Sequence, residues 1–269
     1  RAAWLPTILY SFVFVDVLIT TAWVARHAAL PGELYRPLLI GRVLSLPTPG
    51  PLFVPTVEIL LLGCAAIALT GRLPRAAGAA VAILYLQWML IAFSYGKVDH
   101  DRVAFLIALA VLPTVGRANV RDEVQDPAAG WAIRTIQVAV VLTYLLSAFS
   151  KFRFGGLDWV TGTTLVRAVV RRGTTFGDLV SEVPFLLTAT QWILIGFELA
   201  APLLLIRGRI GRWMLAACLA FHGLTFASIA IVFLPHMICL LSFVPLERIA
   251  PQRLRPALPR PLAHHRTWD

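Results

Sequence analysis

From Trp131 to Ser150 the chain runs through about twenty mostly apolar residues, then meets Lys151 and a Gly155-Gly156 break. At 1.5 Å per residue such a run crosses the ~30 Å hydrocarbon core of a bilayer, so the polar stretch after it lies at a spanning-helix end. Further apolar runs of similar character precede and follow it. Mean hydropathy of +0.78 with only 14% charged residues excludes an ordinary soluble domain. The prediction is an all-α polytopic membrane protein, a bundle of about eight transmembrane helices with one or two interfacial helices.

The spans are expected at 4–25, 56–70, 76–93, 103–115, 131–150, 184–206, 213–232 and 233–246. The last two are separated because Trp213 to Leu246 is too long for one helix and contains Pro235. Asp16 falls in the middle of the first, where a carboxylate costs roughly 2.5–3.5 kcal/mol on insertion scales. It should face the bundle, be protonated or find a partner, as a polar-site residue or in a structural interhelix bond. The proline-rich loop from Arg26 to Pro55 excludes a span and leaves a short interfacial helix near 38–46. Leu157 to Arg172, amphipathic with Arg167, Arg171 and Arg172, reads as an interfacial or partly re-entrant helix.

Residues 1–247 form the membrane domain, and 248–269 a Pro- and Arg-rich cytoplasmic tail that includes His264 and His265. The connector 116–130, with Asp122, Glu123 and Asp126, reads as a solvated loop. About eight spans consume most of the chain, so chemistry is expected in the bundle or its short loops. No cleavable signal peptide is evident, and the first span is expected to direct insertion. The net charge of +10 lies mainly between spans and in the tail. It marks topology and contact with anionic lipid, not nucleic acid. Arginine-rich turns at 71–75 and 207–212 place both termini in the cytoplasm, and span parity then puts Lys97, His100 and Lys151 on the outer face. Cys64, Cys218 and Cys239 sit inside apolar runs and read as packing residues, with neither disulfide nor metal implied.

Of the 24 basic residues only Lys97 and Lys151 are lysine. Arginine keeps its proton in a protein, whereas a partly desolvated lysine can lose it and act as a base. Lys151 is therefore a candidate base or, equally, an interfacial anchor that snorkels. Residues 94–102, S-Y-G-K-V-D-H-D-R, form a polar knot between two apolar runs. Helix capping explains one of Asp99 and Asp101 but not Lys97, His100 and Arg102 arriving together. His100 reads as a site residue or as a helix-start residue bonded to a backbone carbonyl. Glu198 lies seven residues from Gln191 and on about the same helix face; an intramembrane carboxylate is functional or paired, here with Gln191 or with His222. His222 alone in an apolar span is a packing histidine or a site residue. Trp159, with Gly155 and Gly156, shapes a turn or lines the site.

In order along the chain, D-H-D-R-V-A-F-L (99–106), S-K-F with L-D-W-V-T-G (150–162), F-E-L-A-A-P-L-L-L (197–205) and F-H-G (221–223) resemble the vitamin K-dependent gamma-carboxylase family. They are equally similar to its bacterial relatives, the HTTM (horizontally transferred transmembrane) proteins. The resemblance covers roughly residues 94–245. It implies a bacterial plasma-membrane protein with an extracytoplasmic site that binds a quinol (hydroquinone) and no metal. In the family a lysine matching Lys151 deprotonates the hydroquinone, and in the animal enzyme the oxygenated quinol then removes a glutamate γ-proton so that carbon dioxide adds. Lys151 would be the base and His100 its partner; Glu198, His222, Trp159, Lys97 and Asp99 would contact the substrate or quinone. Ser150 stands where the animal enzyme has a second lysine, and three extra residues separate Lys151 from Asp158-Trp159. The expectation from another class is a non-catalytic quinone- or lipid-binding subunit of a larger membrane protein complex. A transporter has no internal repeat to support it.

Overall fold

The computed structural model describes residues 4–116, 127–183 and 185–246; the tail, with His264 and His265, and the acidic residues Asp122, Glu123 and Asp126 of the connector lie outside them. Among the described residues the structure is all-helical. Helices α1 (Trp4–Val15), α2 (Leu39–Val43), α3 (Phe53–Leu69), α4 (Pro74–Phe93), α5 (Val103–Val115) and α6 (Pro127–Gly155) make up the first part. Short α7 (Asp158–Thr161), α8 (Thr164–Arg172) and α9 (Thr175–Ser181) follow. The chain then forms α10 (Leu186–Leu199), α11 (Arg209–Ile229) and α12 (Leu234–Leu240).

The core forms where α3 packs on α4 and α1, α4 on α5, and α5 on α6, with α12 wedged against α5 and α6. Tyr85, Trp88, Phe105 and Leu109 are fully buried there, and the Phe105 ring meets Phe12 and Tyr85 edge-on at 5.3 and 5.1 Å. Gly78 of α4 permits a close approach, since a Cβ on it would lie 2.5 Å from the Tyr10 hydroxyl and 3.1 Å from Pro113 Cγ. On the far side of α6, α10 and α11 stand with the small helices α7 to α9 gathered at one end.

Eight spans are not what forms. Among the described residues three helices, α4, α6 and α11, are long and apolar enough to cross a bilayer, or up to five if each of two bent pairs counts as one span. The shortfall has physical causes. Helix α5 occupies its expected residues but is only 13 long, about 20 Å, and it is enclosed by protein on most sides. A helix packed against protein has no bilayer thickness to match, and its apolar sequence reads the same either way. Helix α3 is 17 residues long, and the last segment, Leu234–Phe243, stops at Val244.

The expected first span breaks at Asp16. Helix α1 widens into a π-turn, Asp16–Thr20, in which the Thr21 amide reaches back to the Asp16 carbonyl at 2.7 Å, and a 3-10 segment, Ala22–Ala29, leaves at 55°. Asp16, fully buried, takes Arg102 at 2.5 Å and the Tyr85 hydroxyl at 2.8 Å, with Thr20 on its other oxygen. It is thus a paired structural carboxylate that ties α1 to α4 and to the segment before α5. The expected sixth span, 184–206, likewise divides, α10 giving way after Leu199 to a 3-10 turn, Ala201–Leu205; α9, which precedes it, meets α10 at 107°. With these changes, span parity no longer supports the placement of the termini.

Candidate functional site

Helix α6 sets the site. Tyr144, Ser147 and Lys151 are spaced three and four residues apart, so they project from one face, toward α10 and α11. The helix ends at Gly155, and Gly156 turns the chain with φ +60°. Gly155 lets the Trp159 side chain pack where a Cβ would stand 3.1 Å away, which places the indole 5.1 Å from the Lys151 ammonium. Gln191 of α10 fixes the same corner by donating to the Val160 and Gly162 carbonyls at 2.9 and 3.1 Å and accepting the Leu165 amide at 2.7 Å.

Lys151 forms an ion pair with Glu198 of α10 and donates to Ser147 Oγ at 2.8 Å, while Ser147 donates to the same Glu198 oxygen at 3.0 Å. The lysine side chain is 18% exposed and the glutamate 4%. Glu198 contacts neither Gln191 nor His222, the partners its helix position suggested; its second oxygen, Oε2, is buried without a partner. One turn deeper along α6, the Tyr144 hydroxyl lies 2.9 Å from His222 Nε2 of α11. The His236 ring of α12 stands perpendicular to Tyr144 at 4.7 Å.

These groups border one cavity of about 1050 Å³, near the upper end of what holds a drug-sized ligand. Its polar lining includes His100, Tyr144, Lys151, Glu198, His222 and His236. The remainder is largely aliphatic and aromatic side chains from α6, α8, α9, α10 and α11. Ile193 and Leu224 line it while exposing 68% and 57% of their surface, so the cavity communicates with the apolar exterior between α10 and α11.

His100 lies at the mouth in a 3-10 turn, His100–Arg102, with Phe233 6.1 Å away. Burial, then the positive charges of Lys151 and Lys97, push its imidazole below the usual value, against the pull of Asp99. Burial raises the neighbouring Asp101 carboxyl to about 6, with Arg102 opposing.

Of the seven residues singled out in the sequence, the fold brings Lys151, His100, Glu198 and His222 to the cavity and Trp159 against the lysine. Lys97 and Asp99 instead pair with each other at 3.1 Å near the surface, their side chains 82% and 41% exposed, and do not line it. Ser147, Tyr144 and His236 are site residues that sequence reasoning passed over. The first two carry a signal, since they repeat the Lys151 face of α6; His236, a lone histidine after Pro235, carries none. Among the described residues no group of three or more His, Cys, Asp or Glu is arranged to hold a metal ion.

The chain matches no family model, no curated protein and no solved structure.

Proposed function

We propose that this chain is a membrane-embedded enzyme of the kind its motifs resemble, the HTTM relatives of gamma-carboxylase, acting on a quinol or a similar lipid-soluble substrate. The observation that carries the reading is the Lys151–Glu198–Ser147 cluster set into an apolar cavity, with the Glu198 Oε2 atom left free of any protein partner. A quinol supplies an acidic hydroxyl and two reducing electrons. The residues around it bind, orient and accept a proton. The pair has two basic groups, an amine and a carboxylate bridged by Ser147, and holds one proton, so one basic site stays open to accept the proton of the quinol. His100, whose imidazole is pushed below its usual value by desolvation and by nearby positive charge, offers a hydrogen-bonding ring at the same mouth. The apolar walls exclude water, and the opening between α10 and α11 suits an amphiphile that stays in the lipid.

The chain is assigned in this reading to the bacterial plasma membrane, with the cavity on the extracytoplasmic side. In support, the starts of α4 and α11, which carry Arg72, Arg75, Arg207, Arg209 and Arg212, lie at the helix ends away from the Lys151 mouth. Anionic lipid is the partner expected there and at the exposed arginines of α8.

A second reading has its own observation. The Lys151 charge is already balanced by Glu198, as in a purely structural ion pair, which favours a non-catalytic quinone- or lipid-binding subunit of a larger membrane complex. Anaerobic quinol addition followed by oxygen separates the two. The enzyme consumes quinol with the unmodified chain and not with Lys151→Ala, whereas the subunit binds quinone in both oxidation states and consumes none.

A further inference from the structure

Among the described residues eight buried side-chain nitrogen and oxygen atoms lack a hydrogen-bond partner, and four of them belong to side chains that line this one cavity: Glu198 Oε2, His222 Nδ1 and both ring nitrogens of His236. An unmet buried polar atom is costly, and such atoms scattered through a core mark local imperfections. Four around one cavity mark a missing hydrogen-bonding partner. His236 is the strongest case, being 2% exposed with nothing on either nitrogen. The hydroxyl of Tyr144, whose ring stands against His236, is already engaged with His222 Nε2.

The unmet atoms fall into two groups. Glu198 Oε2 belongs with Ser147 and Lys151, whereas His222 and His236 belong with Tyr144. Lys151 and Tyr144 are seven residues apart on α6, a rise of roughly 10.5 Å along that helix. That is about the length of a para-dihydroxy ring with one hydrogen bond at each end. The walls between are aromatic: Phe197 and Phe221 stack at 4.9 Å and Phe233 lies 5.5 Å from His222. A single-headed lipid would satisfy one group and strand the other.

We propose that the ligand is a planar ring with oxygens at opposite ends, one held by Glu198 and Lys151 and the far one by His236 together with His222 Nδ1. This rests on the quinol reading above and deepens it by assigning the far end. His236 is then a specificity residue, distinguishing a para-dihydroxy ring from a ring with one hydroxyl.

The test uses the full chain in detergent under anaerobic conditions, with a short-tailed para-naphthohydroquinone and the matching naphthol that lacks the far hydroxyl. The unmodified protein is expected to bind the hydroquinone about tenfold more tightly than the naphthol, the size of one good hydrogen bond. His236→Phe and His236→Ala, read together so that a folding defect in one leaves the other, lose that preference and bind both probes alike. His236→Gln, which keeps a donor and an acceptor, restores part of it, whereas Lys151→Ala weakens both probes together. An undiminished preference in a folded His236→Phe or His236→Ala protein overturns the assignment and leaves the quinol reading standing. Failure of the unmodified protein to bind either probe overturns the quinol reading and this assignment with it.

Discussion

Lys151 and Glu198, 47 residues apart in sequence, meet as an ion pair across α6 and α10, with Ser147 bonded to both. The pair is mostly buried, so neither charge is easily left alone. Removing one member of a buried pair costs ~3–5 kcal/mol, and partial exposure of Lys151 puts this one toward the lower end. Lys151→Met is therefore expected to melt well below the unmodified protein, and Lys151→Met with Glu198→Gln to recover much of the loss while remaining inactive. Thermal unfolding in detergent checks both. A double variant no more stable than the single one would mean that the pair contributes little beyond packing.

Ser147→Ala removes the bridge but neither charge. A stability loss of about 1 kcal/mol is expected, with quinol affinity retained and turnover reduced. Equal losses in binding and turnover would instead place Ser147 on the ligand.

The Asp16–Arg102 pair makes a harsher test of the fold. Asp16 is wholly buried and leans on Arg102, Tyr85 and Thr20, so Arg102→Met strands its charge and is expected to lose folded protein, at ~3–5 kcal/mol. Arg102→Met with Asp16→Asn should return part of it, measured as the monodisperse yield on size exclusion.

Helix positions are legible because apolar runs locate them: α5 begins and ends where its run does, whereas the amphipathic stretch Leu157–Arg172 forms two helices, α7 and α8, the second carrying Arg167, Arg171 and Arg172. What an apolar run does not carry is whether lipid or protein covers it. That is why α3, α5 and the segment after Phe233 read as spans although each is shorter than the three long apolar helices α4, α6 and α11. The carboxylate in mid-run marks Asp16 as a group in need of a partner, but neither the break there nor the partner Arg102 is legible, since a contact over 86 residues leaves no periodic trace. At the site, the scarcity of lysine pointed to Lys151 and the cost of an intramembrane carboxylate to Glu198. Their pairing, and the arrival of His236 beside Tyr144, depend on how α10 and α12 pack on α6. Lys97 and Asp99 share their segment with His100 but point elsewhere, because neighbours along an irregular turn need not share a face.

Asp101 gives a pH dependence with a definite sign. Its carboxyl rises from 3.8 unfolded to about 6 folded, so the folded state holds the proton more tightly and loses stability as pH climbs between those values. Asp101→Asn is expected to stabilise the protein above pH ~6 by on the order of 3 kcal/mol and to add nothing below pH ~4. His100 acts in the opposite direction: its lowered value makes stability fall as pH drops below ~6.5. Melting curves across this range, with Asp101→Asn and His100→Asn, separate the two.

The central claim, that the Lys151 cavity is a working quinol site, is tested most directly by the quinone content and quinol turnover of the purified protein. Lipid extraction with mass spectrometry, on the unmodified chain and on a folded Lys151→Ala variant, gives the first; oxygen-dependent loss of added quinol gives the second. A co-purifying quinone and turnover that disappears in Lys151→Ala is the predicted result. Absence of both binding and turnover in the unmodified protein would contradict the account and leave Lys151 and Glu198 as a structural ion pair.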